Sequence, residues 1–145
     1  MKLLGRYLTL AFLSGVTAEF LLGDQWLAGA QPSIPTQLVQ AVLYAAFYGS
    51  AAILIREIAR RTGRGWVTIL LLALAFGVLE EGIVDETLFN PTFYGEHLLR
   101  FGFIPAIGVA GPWTVFVLSL RVFWSIGCPI ATAEGLFPRP VAKRV

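Results

Sequence analysis

Trp66-Val67-Thr68-Ile69-Leu70-Leu71-Leu72-Ala73-Leu74-Ala75-Phe76-Gly77-Val78-Leu79-Glu80-Glu81-Gly82-Ile83-Val84-Asp85-Glu86-Thr87-Leu88 is the stretch that decides the fold. From Trp66 to Leu79 it carries no charge, and then it gathers Glu80, Glu81, Asp85 and Glu86 within two helical turns. A helix crosses a bilayer with about 20 mostly apolar residues. The stretch therefore predicts a membrane helix over about 66–88, ended by Asn90-Pro91, with acids towards one end.

The rest of the chain agrees with that reading. Apolar residues make up 57% of the 145 residues and charged residues 14%. Soluble domains average roughly 45–50% and about 25%, so a soluble chain of this kind would expose a large apolar surface. Lipid accommodates such a surface. Three more spans are predicted, at about 3–22, 36–55 and 112–133. The first begins after Lys2 and Arg6 and resumes past Val16-Thr17-Ala18 with Phe20-Leu21-Leu22. That resumption favours a retained helix over a cleaved signal peptide. In the second, Ala45, Ala46, Gly49, Ala51 and Ala52 suit close helix packing. The fourth is started at Pro112-Trp113, because proline is tolerated at a first helical position. Pro105, Gly108 and Gly111 argue against a straight helix before it, so residues 103–110 are expected to form a short interfacial or re-entrant segment. Pro129 is expected to kink the fourth helix near its end.

Nine of the eleven basic residues fall on one side of these spans: Lys2, Arg6, Arg56, Arg60, Arg61, Arg64, Arg139, Lys143 and Arg144. Basic loops favour the cytoplasm. The expectation is an all-α integral membrane four-helix bundle, one domain over 1–145, multi-pass in the cell membrane, with both termini cytoplasmic. Trp26, Trp66, Trp113 and Tyr94 lie near the expected helix ends, where amphipathic rings prefer to sit. The formal charge of +2 and the lack of aromatic-basic interleaving give no reason to expect nucleic acid. The single cysteine, Cys128, excludes an intrachain disulfide and a cysteine metal cluster.

Ionisable residues inside a membrane are costly and usually pair within the protein. At 1.5 Å per residue, Glu80 lies roughly 21 Å and Glu19 roughly 24 Å from the cytoplasmic end, and Arg121 roughly 14 Å from the outer end. All three then occupy the outer half of the core. Arg121 is the expected partner of Glu80, Glu81 and Asp85, with Glu19 a third element, since its planar fork suits paired carboxylates. Three readings of this layer stand together: a structural charge cluster, a catalytic or ion-handling site, and interfacial charge without a role. Two adjacent acids in a dry site do not easily both ionise, so Glu80 and Glu81 suit acid–base work or binding of a proton or cation. His97, the one histidine, sits in an outer loop. It is either solvent-exposed and silent or folded back over the acids as a base or metal ligand. No cofactor or bound metal is identified by these residues.

Glu80-Glu81 followed by Phe93-x-x-x-His97 resembles the paired-Glu and Phe-x-x-x-His motifs of the CAAX prenyl protease and bacteriocin-processing (CPBP) membrane family. That resemblance implies intramembrane hydrolysis, with Glu80 or Glu81 activating water and His97 in support. The stretches Glu80–Pro91 and Leu120–Ile130 also resemble blocks of uncharacterised multi-pass bacterial membrane proteins, which implies a membrane location. Three functions follow as expectations. One is a non-enzymatic membrane protein held together by the Arg121 cluster, a helper subunit or a small oligomeric transporter, with a homo-oligomer or a membrane partner subunit expected. The others are a CPBP-like hydrolase using Glu80, Glu81 and His97, and a proton- or cation-linked carrier.

Overall fold

The computed structural model describes residues 2–21 and 33–138. The first helix runs Lys2–Gly15 and continues as a π-helical turn, Val16–Phe20. The second runs Ile34–Arg61. The third runs Trp66–Leu79 and ends in a π turn, Glu80–Val84. The fourth is continuous over Gly111–Leu136, with a π-helical centre at Leu120–Gly127 between α-helical ends. The expected Leu22, Trp26, Arg139, Lys143 and Arg144 positions lie outside the described residues.

The second, third and fourth helices are each long and apolar enough to cross a membrane. Their outward faces carry Val42, Val67, Leu71 and Val115, each more than half exposed. Water would penalise such a surface, whereas lipid tails match it. The inward faces form one core from all four helices, which includes Leu10, Ala52, Ile69, Ala73, Ile126 and Ile130. Small residues set how closely the helices approach. A Cβ on Gly49 would stand 2.5 Å from Ala11 Cα, and one on Gly15 would stand 2.6 Å from the Ala45 backbone nitrogen. Ala45 and Gly49 thus act as the close-packing positions expected of the second helix.

Helix ends differ from the hydropathy limits for physical reasons. The second helix passes Ile55 and reaches Arg61. Hydropathy marks where a helix leaves apolar surroundings, whereas Arg56, Glu57, Arg60 and Arg61 are good helix formers, and Glu57 pairs with Arg56 and Arg61 on the same helix. The third helix stops at Val84 rather than Leu88. Glu86 adopts φ 59°, which breaks the helix, and Thr87 turns back to bond the Glu81 carboxylate. The segment expected to be interfacial or re-entrant is a small antiparallel hairpin, pairing Phe103 with Ala110 and Ile104 with Val109. Gly108, at φ 71°, closes its turn by donating to the Ile104 carbonyl at 2.9 Å. Leu88 and Val109 pack with Val117 beneath it, fixing this cap to the fourth helix. Gly111 and Pro112 then start that helix. Pro129 lies just after the π-helical centre, whose wide turns make room for a ring that has no N–H to donate.

Candidate functional site

Charged and polar side chains from all four helices converge on Arg121. The first, third and fourth helices deliver theirs from π-helical turns: Glu19 from Val16–Phe20, Glu80 and Glu81 from Glu80–Val84, and Arg121 from Leu120–Gly127. The wide turns are seen in their hydrogen bonds. The Leu21 amide donates to the Val16 carbonyl and the Asp85 amide to the Glu80 carbonyl, each at 2.9 Å and each spanning five residues. Such turns are rare and are found frequently at functional sites. Each adds a residue to its turn, which rotates the following side chains relative to the rest of the helix. Glu80 and Glu81, adjacent in sequence, are both buried at the start of their turn, 1% and 0% exposed.

Arg121 is the hub. Its Nε donates to Glu81 Oε1 at 2.5 Å, while Glu80 Oε2 sits 2.7 Å from the same nitrogen, off the N–H direction. Its two terminal nitrogens reach Asp85 Oδ2 at 3.2 Å and Glu19 Oε1 at 3.5 Å. The guanidinium also donates to the Tyr48 hydroxyl at 2.9 Å and lies over the Tyr48 ring, 5.6 Å from its centroid. Gly77 leaves room for this approach, because a Cβ there would stand 3.0 Å from Arg121 Cβ. The Tyr48 hydroxyl lies against Glu19 Oε1 at 2.6 Å and against Glu80 Oε1. Thr87 donates to Glu81 Oε2.

The structure therefore brings together Glu19, Glu80, Glu81, Asp85 and Arg121. The hydrogen bonds and ion pairs of Glu80 and Glu81 run to Arg121, Tyr48 and Thr87. His97 is exposed and its ring Nδ1 is 3.3 Å from the Pro91 carbonyl, within its own loop. One ligand atom from each of Glu80, Glu81 and Asp85 fall within 4.8 Å of one another, close enough to share a cation. The donors are hard oxygens, which suit a proton or a hard cation in chemistry, although Arg121 already occupies the space facing them.

Sequence reasoning missed Tyr48 and Thr87. The signal for Tyr48 was present, since a hydroxyl in an apolar helix must find a partner inside the protein. The signal for Thr87 was not, because it depends on the chain reversing at Glu86.

The family comparison agrees with this architecture. A family model described as an uncharacterized membrane protein family matches residues 8–144, so the chain belongs to that family. No curated protein and no solved structure matches it.

Proposed function

We propose, for this member of an uncharacterized membrane protein family, a multi-pass protein of the cell membrane with both termini cytoplasmic, whose Arg121 cluster is the polar lock of the bundle. Lipid is its surround, and a second copy or a membrane partner subunit its expected partner. The observation that carries the reading is that one guanidinium touches carboxylates from the first and third helices and the hydroxyl of the second. Inside a bilayer the buried members, Glu19, Glu80, Glu81 and Arg121, have no water as an alternative, so separating the helices leaves their charges unsatisfied.

The test is thermal unfolding in detergent. Arg121→Leu is expected to lower Tm strongly, by leaving carboxylates buried without their cation. Adding Glu81→Gln to that variant is expected to restore part of the loss. Independent, additive effects of the two substitutions would refute the lock.

A second reading, a proton- or cation-linked carrier, is favoured by one specific observation. The Tyr48 hydroxyl has a single hydrogen but faces carboxylate oxygens of both Glu19 and Glu80, while accepting from Arg121. A second hydrogen completes these contacts, and either carboxyl can carry it. Four acids against one guanidinium point the same way. In proteoliposomes under an imposed pH gradient, the wild type is expected to dissipate the gradient faster than empty vesicles. Glu80→Gln is expected to abolish the difference, and a Glu80→Gln rate equal to wild type would remove this reading. The hydrolase alternative requires His97 within one bridging water of Glu80 or Glu81. Its bond to Pro91 gives that alternative no support.

A further inference from the structure

Away from the Arg121 cluster, the loop cap between the third and fourth helices forms an open cavity of about 700 Å³. Phe89, Leu99 and Phe103 supply its apolar walls, and His97 and Arg100 its polar edge. Phe89 closes the side nearest the third helix, since a Cβ on Gly82 would stand 3.3 Å from its ring. The cavity is of a size that holds a small organic molecule or one acyl chain with its headgroup. Arg100 is exposed, and among the described residues it makes no ion pair; its guanidinium rests over the Phe101 ring at 5.6 Å. A free cation beside an apolar cleft matches an amphiphile with an anionic head. The surroundings favour a ligand arriving from the bilayer. Phe101, Phe103, Ile104 and Ile107 stand exposed around the same cap, and they lie just ahead of a helix long enough to cross a membrane.

We propose that this cavity binds an anionic phospholipid, with an acyl chain against Phe89, Leu99 and Phe103 and the phosphate at Arg100. His97 faces the same headgroup. Its Nδ1 is engaged with the Pro91 carbonyl, which leaves Nε2 to turn towards the ligand. The proposal rests on the membrane reading of the bundle and not on the role given to Arg121.

Native mass spectrometry and thermal unfolding of the purified full chain in detergent test it, with phosphatidylglycerol, phosphatidylcholine of the same acyl chains and inorganic phosphate as probes. Phosphatidylglycerol is expected to stay bound and to raise Tm more than the other two. Arg100→Gln is expected to weaken that binding roughly tenfold, the loss of one charge-assisted contact. Arg100→Lys is expected to retain most of it. Both variants change an exposed side chain and should melt as wild type does without lipid. Arg64→Gln, on the basic loop at the other end of the helices, controls for general attraction of anionic lipid and is expected to leave the binding intact. Equal binding of phosphatidylglycerol by wild type and Arg100→Gln would overturn the site. Protection by inorganic phosphate as strong as by phosphatidylglycerol would overturn the lipid as its occupant.

Discussion

Two ionic clusters tie the helices, one at each end of the bundle, and they solve different problems. At the basic end, Arg60 grips Glu134 of the fourth helix through two bonds, Nε at 2.8 Å and a terminal nitrogen at 2.6 Å. Arg56 adds 3.2 Å to Glu134 and 2.7 Å to Glu57, and Arg61 reaches Glu57 at 3.1 Å. Cations outnumber acids only slightly there, and the side chains shade from buried Arg56 to Arg61 at 76% exposed. Any charge left over can be hydrated. At the capped end the proportions reverse, with four carboxyls around one arginine, and Glu80 and Glu81 have no access to solvent. That cluster must settle its charge internally, through Arg121, Tyr48 and Thr87. Equal numbers of ion pairs therefore do not mean equal dependence on them. What matters is whether the partner left behind can reach water.

Substitutions at matched positions can break or sharpen this contrast. The largest effect is expected from Arg121→Leu, roughly 3–5 kcal/mol by analogy with broken buried pairs, read as Tm in detergent. Tyr48→Phe comes next. It keeps the ring but removes the hydroxyl between Glu19, Glu80 and Arg121, at about 1.5–3 kcal/mol. A Tm unchanged by Tyr48→Phe would mean that the hydroxyl is not part of the lock. At the basic end, Arg60→Gln is expected to cost under about 1 kcal/mol, because Arg56 still holds Glu134 and the site is partly wet. Arg61→Gln is expected to leave Tm unchanged. If Arg60→Gln proved as damaging as Arg121→Leu, the distinction between wet and dry clusters would fail.

Much of the site was legible because depth along a helix follows from residue counts. Glu19, Glu80 and Arg121 fall at one level once the spans are oriented by their basic loops, and the bundle places both acids on the Arg121 guanidinium. Position around the helix axis was less legible. In an unbroken α-helix Glu80 and Glu81 diverge by about 100°, and one of them would turn away from Arg121. Both are nevertheless buried, because neighbouring helices and the returning Thr87 close over the π turn that starts at Glu80, and no residue pattern announced that. His97 illustrates the opposite case. Its spacing from the acid pair was suggestive, but its loop folds so that it meets Pro91 and the apolar cavity.

The sequence by itself determined that this protein belongs in a membrane, and it set which charges share a level there. Both follow from burial energies that depend on composition and on the 1.5 Å rise per residue. Tertiary structure alone decided how those charges are used. It widened three helices at the same level, brought Tyr48 between two carboxyls, folded Thr87 back onto Glu81 and shaped the open cavity beside Arg100. The reason is that a buried charge is satisfied only by the sum of its neighbours, and those neighbours come from segments far apart in the chain.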